Sequence, residues 1–503
     1  MRLALLTALV AAPALAVSEV ENVTAVSRHQ AIVLRWTNPA VHSGVLILRA
    51  TSGTPTTDPQ TGFSYSANAT LGNATVAYVD SGGSAVSSFT DSGLTDGVRY
   101  HYRIFNRDFL GGYAAGLVPT SSGISVRATA QGSADERWCY ATGLPVLTQP
   151  VSDPGAGVLM ADNGGRVSSV AISGTVASDG LERFRPLALT GAVQARITSV
   201  PLQGRSGRYG LVGDQSGLAY AVDLSTGTLA WTGNLGVALG AAIQAPLGVQ
   251  LYAYAGSAFQ SAHPGRDLVF AGTRNASHVL NSVSALSSLD GTVVWTYAPL
   301  DLDQVNGGFL VDYATDRLWV AARSNSGAQA SLRVLSTLDG SEVARLSLGD
   351  LDTGVVKDFQ SNQAYVVNTA GVATGVDLTS RATVWTASVG VSSSYLYPLG
   401  NGFLVSLQSG SVQRWSVSGA TATMTWSTSV PGPSGVTVDY ANQTLYVGAA
   451  DGTLRKLRLS DGVETGSTSV STSALSMPTI DVTGARLSVG TLGGELCSFA
   501  MPL

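Results

Sequence analysis

Charge is scarce in this chain of 503 residues: 12% are Asp, Glu, Lys or Arg, against about a quarter in an ordinary globular protein. That shortage excludes a helix-rich molecule, whose exposed faces need Glu, Lys and Arg. Lysine is nearly missing, occurring at Lys357 and Lys456, and the formal net charge is −5. No basic surplus exists to neutralise a phosphate backbone, so no nucleic-acid partner is expected. Two cysteines and five histidines leave little material for a metal or haem centre. There is no C-x-x-C-H, H-E-x-x-H, G-x-S-x-G or G-x-x-x-x-G-K-[ST] segment, which removes haem attachment, zinc hydrolysis, the serine-hydrolase elbow and the phosphate loop. Nor does any apolar run approach the ~20 residues of a membrane-crossing helix.

What is there begins with an address. Arg2 precedes an apolar run from Leu3 to about Ala12, and Ala14-Leu15-Ala16 has the small-x-small form of a cleavage site. Residues 1–16 read as a signal peptide, with the mature chain exported to the periplasm, the outer surface or the medium. No cysteine follows the cleavage site, so no lipid anchor is expected.

The rest is rich in what short strands and tight turns require, with 58 glycines and abundant Ser, Thr and Val. From Val20 to about Ala130, AIVLRW, GVLILRA, ATVAYVD, VRYHYRIF and GISVRATA read as strands between turn clusters. About seven strands in this length suit a sandwich. Trp36 ends an apolar strand, and Leu94 lies six residues before Tyr100, with Tyr102 beyond it. This set resembles the fibronectin type III domain, in which a tyrosine corner ties an inter-sheet connection to the backbone. The resemblance covers residues 17–130. It implies a non-catalytic spacer or binding module with Trp36, Leu94 and Tyr100 in its core.

After a polar junction at 131–137 a unit recurs. GLAYAVDLSTGTLAW ends at Trp231, SVSALSSLDGTVVW at Trp295 and GVATGVDLTSRATVW at Trp385, and Trp426 joins the series. SLRVLSTLDGSEVAR carries Ala344 at the Trp position, and GTLRKLRLSDGVETG carries Gly466. A short apolar strand precedes each unit, as in YGLVGD, DRLWVAA and QTLYVGA; eight of them start near residues 157, 209, 267, 317, 363, 402, 444 and 486. A period of about 40–55 residues with four strands per unit is the spacing of β-propeller blades. It predicts eight blades over 138–503, with seven as the alternative because the early units are longer. The repeats resemble the tryptophan-docking motifs of quinoprotein-type, PQQ-like propellers. That resemblance implies that Trp231, Trp295, Trp385 and Trp426 each cover a neighbouring blade. It further implies closure by pairing an N-terminal strand, RWCYATG, with the C-terminal GELCSFAM. Cys139 and Cys497 are then neighbours, and in an exported protein a disulfide is expected; two buried thiols are the alternative.

The same resemblance raises a PQQ-dependent dehydrogenase. Such enzymes hold calcium with a Glu/Asn/Asp set, use an Asp base and often cover the quinone with a Cys-Cys disulfide. This chain has no Cys-Cys pair and no such set maps onto it, so no cofactor is expected and no catalytic residue is assigned. Asp301, Asp303 and Asn306 in LDLDQVNGG are the candidate calcium ligands, with Asp350 and Asp352 behind them; turn formation is the alternative. His263 and His278 flank one strand, with exposed loop histidines as the alternative. Arg166, Arg185, Arg208, Arg266, Arg317 and Arg323 are candidates to line one face for an anionic partner, or else solvated single charges. The resulting expectation is an all-β, monomeric, non-enzymatic exported protein, a fibronectin type III sandwich followed by an eight-bladed propeller that docks a protein or a glycan. Its rivals are a role like that of the BamB family of outer-membrane assembly factors, which share this propeller type, and a PQQ- or metal-dependent enzyme.

Overall fold

The computed structural model describes residues 17–501 except 81–85, 97, 115–124, 128–137, 143, 155–156, 173–179, 238–239, 325–329 and 482–484. The expected signal peptide and the 131–137 junction lie outside the described residues. Among those described are forty strands and one short α-helix, Ser257–Ala262. The chain divides into two compact units, 1–130 and 131–503.

In the first unit Glu21–Arg28, Ala31–Thr37 and Ser88–Ser92 pair antiparallel. Thr70–Leu71, Ala74–Asp80, Gly44–Ala50, Arg99–Arg107 and Ser125–Arg127 form a five-stranded sheet in that order. Alternation in Ala31–Thr37 buries Ile32, Leu34 and Trp36, the pattern of a strand with one face on a core. Bonds across the two sets of strands hold them together. Arg49 pairs with Asp91 at 2.8 Å, the Tyr102 hydroxyl donates to the same carboxylate at 2.7 Å, and Tyr78 stacks on Phe89 at 4.7 Å. The Tyr100 hydroxyl accepts the Thr95 backbone N–H at 2.9 Å, beside buried Leu94. It thereby fixes the connection that leads from one set of strands to the other.

The second unit contains seven four-stranded antiparallel sheets and an eighth set of four antiparallel strands that closes the series. The first is Val151–Asp153, Gly157–Ala161, Arg166–Ala171 and Glu182–Ala188; the seventh is Val436–Asp439, Thr444–Gly448, Thr453–Arg458 and Glu464–Ser469. All eight apolar runs singled out in the sequence are second strands of blades, from Gly157–Ala161 to Arg486–Gly490. Six of these strands are buried throughout, and in the other two only the first residue, Arg317 or Gln363, is partly exposed. Blades cover them on both faces. The eighth blade takes Thr479–Ile480, Arg486–Gly490 and Glu495–Ala500 from the C-terminal end and Trp138–Ala141 as its outer strand. Cys497 lies opposite Cys139 in this pairing and the two form a disulfide. At the inner edge, Gln149 Nε2 of the first blade donates to the Pro478 carbonyl of the eighth at 3.0 Å.

In six of the eight blades an aromatic at one register position of the outer strand covers the following blade. Trp231 stands opposite Ala221, Trp295 opposite Ala285, Trp385 opposite Gly375 and Trp426 opposite Arg414, each beside a bulge in the pairing. The extra residue re-aims the side chain out of its own ladder. The indoles of Trp231, Trp295 and Trp426 donate to the carbonyls of Ser288, Thr337 and Leu459 on the next blade, at 2.9, 3.1 and 3.2 Å. The receiving turn carries glycine: at Gly291 φ is +74°, and a Cβ there would sit 2.7 Å from the Trp231 ring. Trp385 is held differently, donating to Gln363 Oε1 of its own blade and stacking on Phe403 of the next at 5.4 Å.

Two further aromatics occupy the same register. Phe184 stands opposite Ser169 and presses on Gly227, and Trp138 stands opposite Ser498 on the ring-closing strand. The two vacancies have reasons. Ala344 precedes a turn that carries Arg381, at φ +61°, where other blades have glycine. Gly466 precedes the eighth blade, whose third and fourth strands come from opposite ends of the chain, so no connecting turn exists to receive a ring.

Two outcomes follow. Ala344→Trp alone is expected to cost about 1–3 kcal/mol by overpacking, and adding Arg381→Gly is expected to recover most of it, read as a coupling term in a urea double-mutant cycle. Replacing Cys139 and Cys497 together by alanine releases a constraint between positions 358 residues apart and is expected to cost about 2–5 kcal/mol, seen as a lower urea midpoint.

Candidate functional site

The innermost strands are short, and each is entered by a loop arriving from the preceding blade. A buried aliphatic side chain fixes that loop in the first five blades: Val146, Val193, Ile243, Val305 and Leu351. Backbone bonds tie the anchors to turns of the preceding blade, as in Ile243 N–H to Asp214 O at 2.9 Å and Leu351 N–H to Ala322 O at 3.1 Å. The residue that follows each anchor (Leu147, Gln194, Gln244, Asn306 and Asp352) lines a central cavity of about 860 Å³ to which all eight blades contribute.

Among the described residues Asp352 is the one carboxylate in that lining. Arg323 grips it with Nε and Nη2, both at 2.6 Å, and Asn306 Nδ2 donates to it at 2.8 Å. Burial alone would push the Asp352 pKa up; the bonds from Arg323 and Asn306 and the Arg323 charge override it and hold the pKa below the usual carboxylate range. Gln244 is engaged by Arg274, and Gln194 Nε2 donates to Asn163 at 3.3 Å. Arg196, two residues beyond Gln194, lines the cavity, is exposed, and forms no ion pair among the described residues. Facing it from the sixth blade is Tyr395, whose pKa is raised by burial while the charge of Arg196 draws it back. The Tyr395 hydroxyl contacts the Met477 sulfur at 3.4 Å.

This architecture has counterparts among known proteins. A family model described as outer membrane protein assembly factor BamB matches residues 368–500. The crystal structure of BamB from Moraxella catarrhalis aligns with a TM-score of 0.52 at 18% identity, over 71% of this chain and 94% of that one. The computationally designed Ika8 protein aligns with a TM-score of 0.52 at 14% identity, over 71% and 96%. The shared feature is the β-propeller fold. No curated protein sequence matches this chain.

The residues singled out as calcium ligands have other partners. Asp301 receives Arg333 at 3.1 Å and Arg345 at 2.8 Å; Asp303 caps the Gln304 N–H at 2.8 Å; and Asn306 serves Asp352. Among the described residues no group of three His, Cys, Asp or Glu side chains is arranged to hold a metal. With Asp352 already neutralised, the cavity's donor set does not fit a calcium-bound quinone. His263 is buried rather than an exposed loop residue: its ring packs on Phe259 at 4.9 Å and Nε2 meets the Leu338 carbonyl at 2.9 Å, and burial lowers its pKa. The His278 side chain lies outside the described residues.

Four of the six arginines considered for one face are ion-paired instead of solvated singly. Arg166 holds Asp162 at 2.9 Å, Arg185 holds Glu182 at 2.5 Å, Arg208 holds Asp153 at 2.9 Å, and Arg323 holds Asp352. Sequence reasoning missed Arg196. The signal that would have found it is the alignment of the loop ends, in which Arg196 falls where later blades have Pro246, Gly308 and Gly354.

Because the folded Asp352 titrates below its unfolded value of ~4, its stabilisation is present above that pH and is lost as pH falls through the folded pKa. Arg323→Gln is therefore expected to lower the melting temperature at pH 7, with the gap from the unaltered protein narrowing by pH 3.

Proposed function

We propose that this protein is an exported, non-catalytic scaffold, a fibronectin type III module ahead of a propeller that docks a protein partner on the face where the inter-blade loops meet the channel. The observation that carries the reading is a BamB-like propeller whose channel has its single lining carboxylate locked in an ion pair. The contact between the Tyr100 hydroxyl and Thr95 supports the fibronectin assignment of 17–130. The disulfide supports an oxidising compartment, in keeping with the signal-peptide reading of 1–16. A protein suits the face better than a glycan, because among the described residues the cavity lining holds two aromatics, Phe309 and Tyr395, and no tryptophan on which sugar rings would stack.

A second reading is favoured by the family match over 368–500: service as an outer-membrane protein assembly factor in the manner of BamB. Affinity purification of the full chain from the cells that make it, after crosslinking, tests both. A stoichiometric envelope protein with no cofactor is the expected result, on a chain that light scattering shows to be a monomer. Co-purification with a β-barrel assembly complex selects the second reading. A stoichiometric quinone or metal accompanied by turnover overturns both.

A further inference from the structure

We infer that Arg196 is the anchor for an acidic side chain of the protein partner, inserted into the central channel from the loop face. The inference rests on the scaffold reading above and adds to it the chemistry of the contact. Many arginines of this propeller serve as cross-links. Arg166, Arg183, Arg185 and Arg208 on the first two blades all reach a carboxylate within 3.0 Å. At the channel itself Arg323 closes on Asp352, and Arg274 is held by Gln244 and Gln304. Arg196 differs from these channel neighbours: it lines the cavity, is exposed and has no ion pair among the described residues, and its charge reaches Tyr395 on the blade directly across the ring of eight. With Asp352 neutralised, the lining carries one uncompensated charge, and it is positive. The guanidinium fork matches a carboxylate in two parallel hydrogen bonds.

The form of the cavity argues for a tethered acid over a free one. Sites for small molecules enclose the ligand with apolar walls and several convergent polar groups. Here the walls include backbone at Gly307, Gly308, Gly354 and Gly435, with hydroxyls at Ser394 and Ser434. One ion pair in such a setting holds a free carboxylate weakly. An acid carried by a protein already seated on the surrounding loops arrives at high effective concentration, and the same ion pair then suffices. Small residues around the opening leave room for the loop that carries it.

The test uses the full chain and envelope extract from the cells that make it. Arg196→Glu is expected to reduce partner capture at least tenfold with no change in melting temperature, since Arg196 supports no internal ion pair. Arg196→Lys is expected to retain capture and to permit a zero-length crosslink. A carbodiimide activates the partner's carboxyl, the new amine displaces it to form an amide, and the carbodiimide leaves as its urea. Peptide mapping should place that amide at position 196, against a background of two native lysines, Lys357 and Lys456. Undiminished capture by R196E, or capture by R196K without an amide at 196, overturns the inference and leaves the scaffold reading standing. Absence of any captured protein with the unaltered chain overturns both. Sodium galacturonate serves as the free-acid probe: if it raises the melting temperature of the unaltered chain but not of R196E, while protein capture is equal for the two, the site holds a small acid and the inference falls.

Discussion

A four-stranded sheet with two apolar faces has no stable end, because whichever face is left uncovered exposes its whole second and third strands. In the second unit that constraint is met by giving every sheet a neighbour on each side, and a closed ring is the arrangement that leaves none over. Most of the other features serve it. The bulge beside Trp231 and its equivalents turns a ring from one sheet toward the next, and the glycine turn of the next sheet receives it. Where the receiving turn is Arg381 the ring is replaced by Ala344, and where no turn exists the position is Gly466. The repeat is therefore governed by pairs across a boundary, each residue answering to the turn of the following blade.

The channel arises from the same packing. Inner strands of two to four residues leave the ends of the inter-blade loops to line the axis, and in the first five blades the buried anchor before the strand decides which residue does so. Charge is handled in a related way. Arg333 is completely buried between Asp301 and Glu342, with the Tyr297 hydroxyl at 2.7 Å. It bridges the loop that enters a blade and that blade's outer strand. A protein with few charges uses most of those it has near its core as paired links, which is why an unpaired one in the channel stands apart.

The propeller was legible where packing writes directly into composition. Second strands covered on both faces must be apolar throughout, so Tyr209–Gly213 and Thr444–Gly448 were visible as runs, and a large ring four residues past a turn glycine was visible at Trp231 and Trp295. Phe184 and Trp138 were not, because their equivalence to those residues exists in the pairing register, and Trp138 pairs with a strand at the far end of the chain. Asp301, Asp303 and Asn306 looked like ligands because short oxygen spacing is all that local sequence displays. The arginines that engage Asp301 lie 32 and 44 residues away. Arg196 was passed over for the converse reason: until the loop ends are aligned, a lone arginine reads the same whether or not the fold supplies it with a carboxylate.

The bond between Cys139 and Cys497 joins two residues that bracket nearly all of the second unit. It makes the backbone of that unit a covalent hoop. A protease that cuts one exposed loop between those positions opens the chain without freeing a piece, since both fragments remain linked through the sulfurs and their blades stay held by their neighbours. Resistance to such a nick is a property of the ring as a whole, set by where its two ends are fastened and independent of which loop is cut.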